Sequence, residues 1–126
     1  MSRLLVVDDE ANIRTLYKDE LTDEGYEVLT AGSIAEATEK LQTGAFDLVV
    51  LDIKLRNESG IELLQKLVKE RHEMPVILCS AFSCYKDDFS AWLADGYVVK
   101  SGDLTELKNE IARVLAKKAQ KMKVER

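Results

Sequence analysis

Five short apolar runs, each followed by a helical pattern, constrain this chain more than any other feature. They are Leu4-Leu5-Val6-Val7, Tyr26 to Thr30, Phe46 to Leu51, Val76-Ile77-Leu78-Cys79 and Tyr97-Val98-Val99. Runs this short have strand length, and their near-continuous apolar character means burial on both faces. Between the first two, Ile13, Leu16, Tyr17 and Leu21 recur at helical spacing and stop near Gly25. Ser33 reads as an N-cap with Glu36 completing a capping box, opening a helix with Ile34, Ala37 and Leu41 that stops at Gly44. Asp52 to Gly60 reads as a polar loop. Ile61, Leu64, Leu67 and Val68 mark a third helix, and Pro75 precedes the fourth strand. A fourth helix is expected between Tyr85 and Ala94. Asp103 caps a fifth, which carries Leu104, Leu107, Ile111, Val114 and Leu115.

Strand and helix units in alternation give a parallel sheet covered on both faces. The expected fold is α/β: a five-stranded parallel sheet, order 2-1-3-4-5, doubly wound with five helices, the flavodoxin-like arrangement. A length of 126 residues fits one domain. The apolar runs are too short to span a bilayer. Asp8, Asp9 and Glu10 come too early for a signal peptide, and two cysteines make no disulfide framework, so a reducing, cytoplasmic setting is expected. A net charge of −5 argues against a nucleic-acid-binding surface, and no membrane contact is expected. The charge is uneven: residues 113–126 stand at +5 and the rest of the chain at −10. A lysine-rich helix C-terminus, which suits the helix dipole, accounts for the basic end.

Ligands of such sheets bind beyond the carboxyl ends of the strands. There the first strand ends in Asp8 and Asp9, the third in Asp52, the fourth in Ser80 and the fifth in Lys100. With strands one and three adjacent, three carboxylates converge beside a hydroxyl and an amine. Clustered carboxylates need compensation, and hard oxygen donors suit Mg²⁺. With a cation and Lys100 in place, the pocket accommodates a phosphoryl group, and a carboxylate there can act as nucleophile. Taken singly, Asp8 and Asp9 could be N-caps, Asp52 a loop cap, Ser80 a turn hydroxyl and Lys100 a solvated strand end. Their coincidence at four strand ends carries the functional reading.

These residues resemble the receiver domain of two-component response regulators. The resemblance rests on Leu5-Val6-Val7-Asp8-Asp9-Glu10, Asp47-Leu48-Val49-Val50-Leu51-Asp52, Gly60, Pro75-Val76-Ile77-Leu78-Cys79-Ser80-Ala81 and Gly96-Tyr97-Val98-Val99-Lys100. It implies a receiver domain over 1–119 with a basic C-terminal tail over 120–126. It implies that Asp52 takes a phosphoryl group from a sensor histidine kinase or a histidine phosphotransfer protein. By the same resemblance Asp9 ligates Mg²⁺ directly and Asp8 mainly through water, with Asp52 and the Lys54 carbonyl also in the metal site. Ser80 and Lys100 contact the phosphoryl group. Ser80 and Tyr97 form the switch, and the face of the fourth helix, fifth strand and fifth helix signals to a downstream protein. A monomer or a phosphorylation-promoted dimer is implied, with no catalysis beyond the domain's own phosphorylation and dephosphorylation.

Two positions depart from the family pattern. Ser101 follows Lys100 where the family usually has proline, commonly after a cis bond. Such a bond before a non-proline residue costs roughly 2.5–4 kcal/mol. Arg56 also replaces a frequent proline. Phe82, two residues past Ser80, stands where the family pattern influences the access of water, so by the resemblance its apolar ring implies slow self-dephosphorylation; the alternative is that it only packs against the fourth helix. Cys79 is expected to be a small core residue, Cys84 a loop thiol and His72 a surface residue. An aspartyl-phosphate phosphatase would need an acid two residues after Asp52, where Lys54 stands. A flavin-phosphate site would be repelled by Asp8-Asp9-Glu10. The remaining alternative is a phosphorylation-independent pseudo-receiver, a protein-interaction module. Because the chain ends soon after the fifth helix, it is expected to be a stand-alone regulator or a piece of a longer one.

Overall fold

The computed structural model describes residues 2–55, 58–70, 74–80, 94–100 and 103–124. In chain order the elements are β1 Arg3–Val7, α1 Ala11–Asp23, β2 Glu27–Ala31, α2 Ile34–Thr43, β3 Leu48–Asp52, β4 Lys54–Leu55, β5 Glu58–Ser59, α3 Gly60–Glu70, β6 Val76–Ser80, β7 Gly96–Val99 and α4 Thr105–Val124. Five strands form one parallel sheet in the order β2-β1-β3-β6-β7, the expected 2-1-3-4-5 winding. Four helices lie among the described residues. The fourth helix expected over 85–94 falls outside them, as do Arg56, His72, Ala81, Phe82, Cys84 and the Lys100–Ser101 bond.

Side chains alternate across each strand, so the sheet sorts its apolar residues by parity. Leu5, Val7, Val49, Leu51 and Leu78 pack with Ala37 and Leu41 of α2 and with Leu63, Leu64 and Leu67 of α3. Leu4, Val6, Leu48, Val50, Ile77, Cys79 and Val98 pack on the other face with Tyr17 and Leu21 of α1 and with Leu107, Ile111 and Val114 of α4. This two-sided burial is why the strand runs are apolar without interruption. It also assigns the polar strand ends: Asp8 follows Val6, and Asp52 follows Val50, on the α1 and α4 side.

The local signals act much as their chemistry dictates. The α1 helix closes in a Schellman arrangement, with Tyr26 N–H donating to the Leu21 carbonyl and Gly25 N–H to that of Thr22. Gly25 takes φ +96°, a conformation that costs other residues a clash at Cβ. Ser33 caps α2, its Oγ accepting from Glu36 N–H at 3.2 Å. The reciprocal bond differs from a strict capping box, because the Glu36 carboxylate accepts from Gly32 N–H. Asp103 Oδ1 accepts from Thr105 N–H at 2.9 Å and so starts α4. That helix runs through residue 120 to Val124, so the basic end expected as a tail begins inside it.

Two expectations need correction. Leu16 does not join the buried face of α1 and is 40% exposed. Ile13, Tyr17 and Leu21 already form the inward i, i+4 line, and Leu16 lies about 100° around the helix from Tyr17. The stretch 52–60 is not simply a polar loop. Asp52 is the last residue of β3, and β4 pairs antiparallel with β5 through Lys54↔Ser59 and Leu55↔Glu58. Ile53 and Leu55 are buried, and their burial holds this small hairpin against the sheet.

Candidate functional site

Asp8, Asp52 and Ser80 are the buried polar residues among those described, and all three lie at carboxyl ends of sheet strands. Lys100, just past β7, reaches between two of them. Its Nζ lies 2.7 Å from Asp8 Oδ2 and 3.0 Å from Asp52 Oδ2. Its backbone N–H donates to the Ser80 carbonyl at 2.6 Å, which ties the lysine to the end of β6. Asp8 is held further by Glu10 N–H, which donates to Asp8 Oδ1 at 2.9 Å. The Asp8 carboxylate therefore serves the turn and the ion pair at once. Glu10 occupies the N-cap position of α1, and its side chain makes no capping hydrogen bond.

Burial dominates the electrostatics. It pushes the Asp52 carboxyl up to about 6, with the Asp8 charge adding to the rise. The Lys100 hydrogen bond and the Lys54 backbone N–H oppose that rise without cancelling it. For Lys100, burial acts downward, but hydrogen bonds to Asp8 and Asp52 outweigh it and hold the ammonium above its ordinary range. Behind the site, Tyr17 Oη and Cys79 Sγ lie 3.6 Å apart, and burial raises both groups, Cys79 to about 11. Cys79 is thus a protonated core thiol, as its place in a buried strand suggested.

The donor set fits a hard divalent cation. Carboxylate oxygens of Asp8, Asp9 and Glu10 lie within 4.8 Å of one another, and Asp52 joins them through the lysine it shares with Asp8. A buried carboxylate that resists ionising, beside others of the same charge, is a group that a bound cation would relieve. The structure thus gathers Asp8, Asp9, Asp52, Ser80 and Lys100 at one end of the sheet. Lys54 opens β4 and is exposed, with its backbone N–H turned to Asp52. Tyr97 is half-buried against the core face shared with α3. Glu10 was missed as a member of the acidic group, although its place directly after Asp8-Asp9 was a signal available in the sequence.

Gly60 sets the far edge of the site. A Cβ at this position would lie 2.0 Å from the Asp52 carbonyl oxygen. Its N–H donates to the Ile53 carbonyl at 2.7 Å, so the start of α3 folds directly over the end of β3. Only a residue without a side chain permits that approach.

Comparison with known proteins agrees with this arrangement. The family model for the response regulator receiver domain matches residues 4–112. The response regulator ArlR of Staphylococcus aureus is 32% identical over 123 residues, covering 96% of this chain. The chain spans 56% of that protein's length. Response regulator TrrA of Thermotoga maritima, crystallised with Mg²⁺-BeF, is 47% identical with a TM-score of 0.86, covering 90% of this chain and 98% of TrrA's. TrrA is also known in complex with the histidine kinase ThkA. A CheY-like receiver domain protein from Methanospirillum hungatei is 31% identical with a TM-score of 0.89, covering 96% of this chain and 98% of its own. From the order of its strands to the carboxylates and lysine at their ends, this chain belongs to the response regulator receiver domain family.

Proposed function

We propose that this receiver domain takes a phosphoryl group onto Asp52 from the phosphohistidine of a sensor histidine kinase or a histidine phosphotransfer protein. The observation that carries this reading is the single Lys100 ammonium bridging Asp8 and Asp52. Attack needs the carboxylate ionised, and a carboxyl raised to about 6 is mostly ionised at neutral pH. An Asp52 oxygen attacks phosphorus, the P–N bond breaks, and its electron pair returns to the imidazole, which takes up a proton. Asp8, Asp9 and Asp52, with the Lys54 carbonyl, would hold Mg²⁺, which when bound supplies charge neutralisation at the transferring oxygens. Lys100 then exchanges its contact with Asp52 for one with the phosphoryl group, and the Ser80 hydroxyl donates to that group. TrrA's structures with Mg²⁺-BeF and with a histidine kinase support both the cation and the donor class.

The added charge biases a two-state equilibrium. Ser80 and Tyr97 are the switch residues, and β7 and α4, with the fourth helix expected over 85–94, present the face that meets a downstream protein. The receiver unit spans 1–119, with the basic end from 120 as an extension. The test is intact-protein mass after incubation with acetyl phosphate. A gain of one phosphoryl group that needs Mg²⁺ and is lost in Asp52→Ala supports the reading. No gain in folded protein identifies a pseudo-receiver instead.

A further inference from the structure

Three successive carboxylates, Asp8 to Glu10, crowd the turn between β1 and α1, and their mutual repulsion opposes the arrangement. Arg14, half-buried on the first turns of α1, clasps this segment. Its Nη1 donates to the Asp8 carbonyl oxygen at 2.6 Å. Its backbone N–H donates to the Glu10 carbonyl at 3.1 Å. One residue thus holds both ends of the acidic turn. The Asp8 carbonyl and the Asp9 N–H belong to one rigid peptide plane. Fixing that oxygen fixes the plane from which Asp9 departs. The contact also takes up no carboxylate oxygen that a cation would use.

We infer that Arg14 is a positioning residue, which orients the Asp8–Asp9 peptide so that the acidic side chains converge on a divalent cation. The inference rests on the metal reading above. A second feature of the fold serves the same contact. Gly32, at the turn between β2 and α2, lies against the guanidinium, and a Cβ there would stand 3.0 Å from Arg14 Nη1 and 3.3 Å from its Cζ. The absence of a side chain at position 32 leaves Arg14 room to reach Asp8.

The charge of Arg14 and its geometry predict opposite effects on cation affinity. A positive group near a cation site repels the cation, so removing it on charge grounds alone would tighten binding. Removing a positioning contact loosens binding, by roughly tenfold or more for partners behind a metal's ligands. The experiment is calorimetric titration with Mg²⁺ alone on wild type, Arg14→Ala, Arg14→Lys and Gly32→Ala, with urea unfolding of each. The expected result is roughly tenfold weaker binding in Arg14→Ala, partial recovery in Arg14→Lys and weaker binding in Gly32→Ala, whose charge is unchanged. Equal or tighter binding in Arg14→Ala overturns the inference while leaving the metal reading intact. Should that variant not fold, unchanged affinity in Gly32→Ala overturns it in the same way. No Mg²⁺ binding by folded wild type overturns the metal reading, and this inference with it.

Discussion

Replacing Asp52 by asparagine should stabilise the metal-free protein at neutral pH, although it removes an ion pair. Burial carries the Asp52 carboxyl from 3.8 to about 6 in spite of its contact with Lys100. The folded chain therefore holds this proton more tightly than the unfolded chain. Its stabilising contribution is complete below about pH 4 and is lost as pH rises through about 6. A shift of about two pH units corresponds to about 3 kcal/mol of cost for the ionised side chain. The Asp52 side chain is only 6% exposed, so solvent screening removes little of that cost. The amide introduced by Asp52→Asn would carry no charge, and Lys100 would keep Asp8 as a partner at 2.7 Å. Urea unfolding in chelator at about pH 7.5 should find Asp52→Asn about 2–3 kcal/mol more stable than wild type. At about pH 4 the advantage should shrink to a few tenths of a kcal/mol, because wild-type Asp52 is then protonated when folded. Saturating Mg²⁺ should narrow the gap at neutral pH by stabilising wild type more. A variant no more stable than wild type at neutral pH, or a gap independent of pH, would refute the reasoning.

Three further outcomes follow from the same geometry. Lys100→Met strands Asp8 and Asp52 without their shared cation and should cost about 3–5 kcal/mol at neutral pH. Adding Asp52→Asn to Lys100→Met should recover more than the about 2–3 kcal/mol that Asp52→Asn gains in the wild-type background, whereas a non-interacting pair would recover only that amount in the same urea assay. Gly60→Ala places a methyl group against the Asp52 carbonyl and should cost about 1–3 kcal/mol while slowing Asp52 phosphorylation by acetyl phosphate. An unchanged phosphorylation rate would show that the hairpin yields without moving Asp52. Ser33→Ala removes the α2 cap and should cost about 1 kcal/mol in thermal or urea unfolding, leaving Mg²⁺ affinity unaltered.

Much of the fold was legible because its signals are local. Five apolar runs required a sheet buried on both faces, Ser33 and Asp103 announced their helices, and Gly25 closed the first one. The strand-end residues Asp8, Asp52, Ser80 and Lys100 were legible for a related reason. A polar residue that stops an apolar strand sits at the strand's end whatever the neighbouring elements do. The exposed side of α1 was harder to read. Leu16 has the spacing of a core residue, and only the position of α1 on the sheet turns it outward. The pairing of β4 with β5 was hidden as well, since two-residue strands leave no periodicity and the hairpin depends on burying Ile53 and Leu55.

The sequence alone determined the class of fold, the winding order and which residues could carry chemistry, because strand length, helical period and chain-reversing residues act over a few positions. The tertiary structure decided how those residues meet. Lys100 and Asp52 stand 48 positions apart, and nothing in either local segment says that one ammonium will span two carboxylates. The clasp of Arg14 on the Asp8 carbonyl, the close approach of Gly60 to Asp52 and the raised titration of Asp52 arise the same way. Each depends on how closely separate elements pack and on the water their packing removes, quantities that exist only once the sheet and its helices have closed around the site.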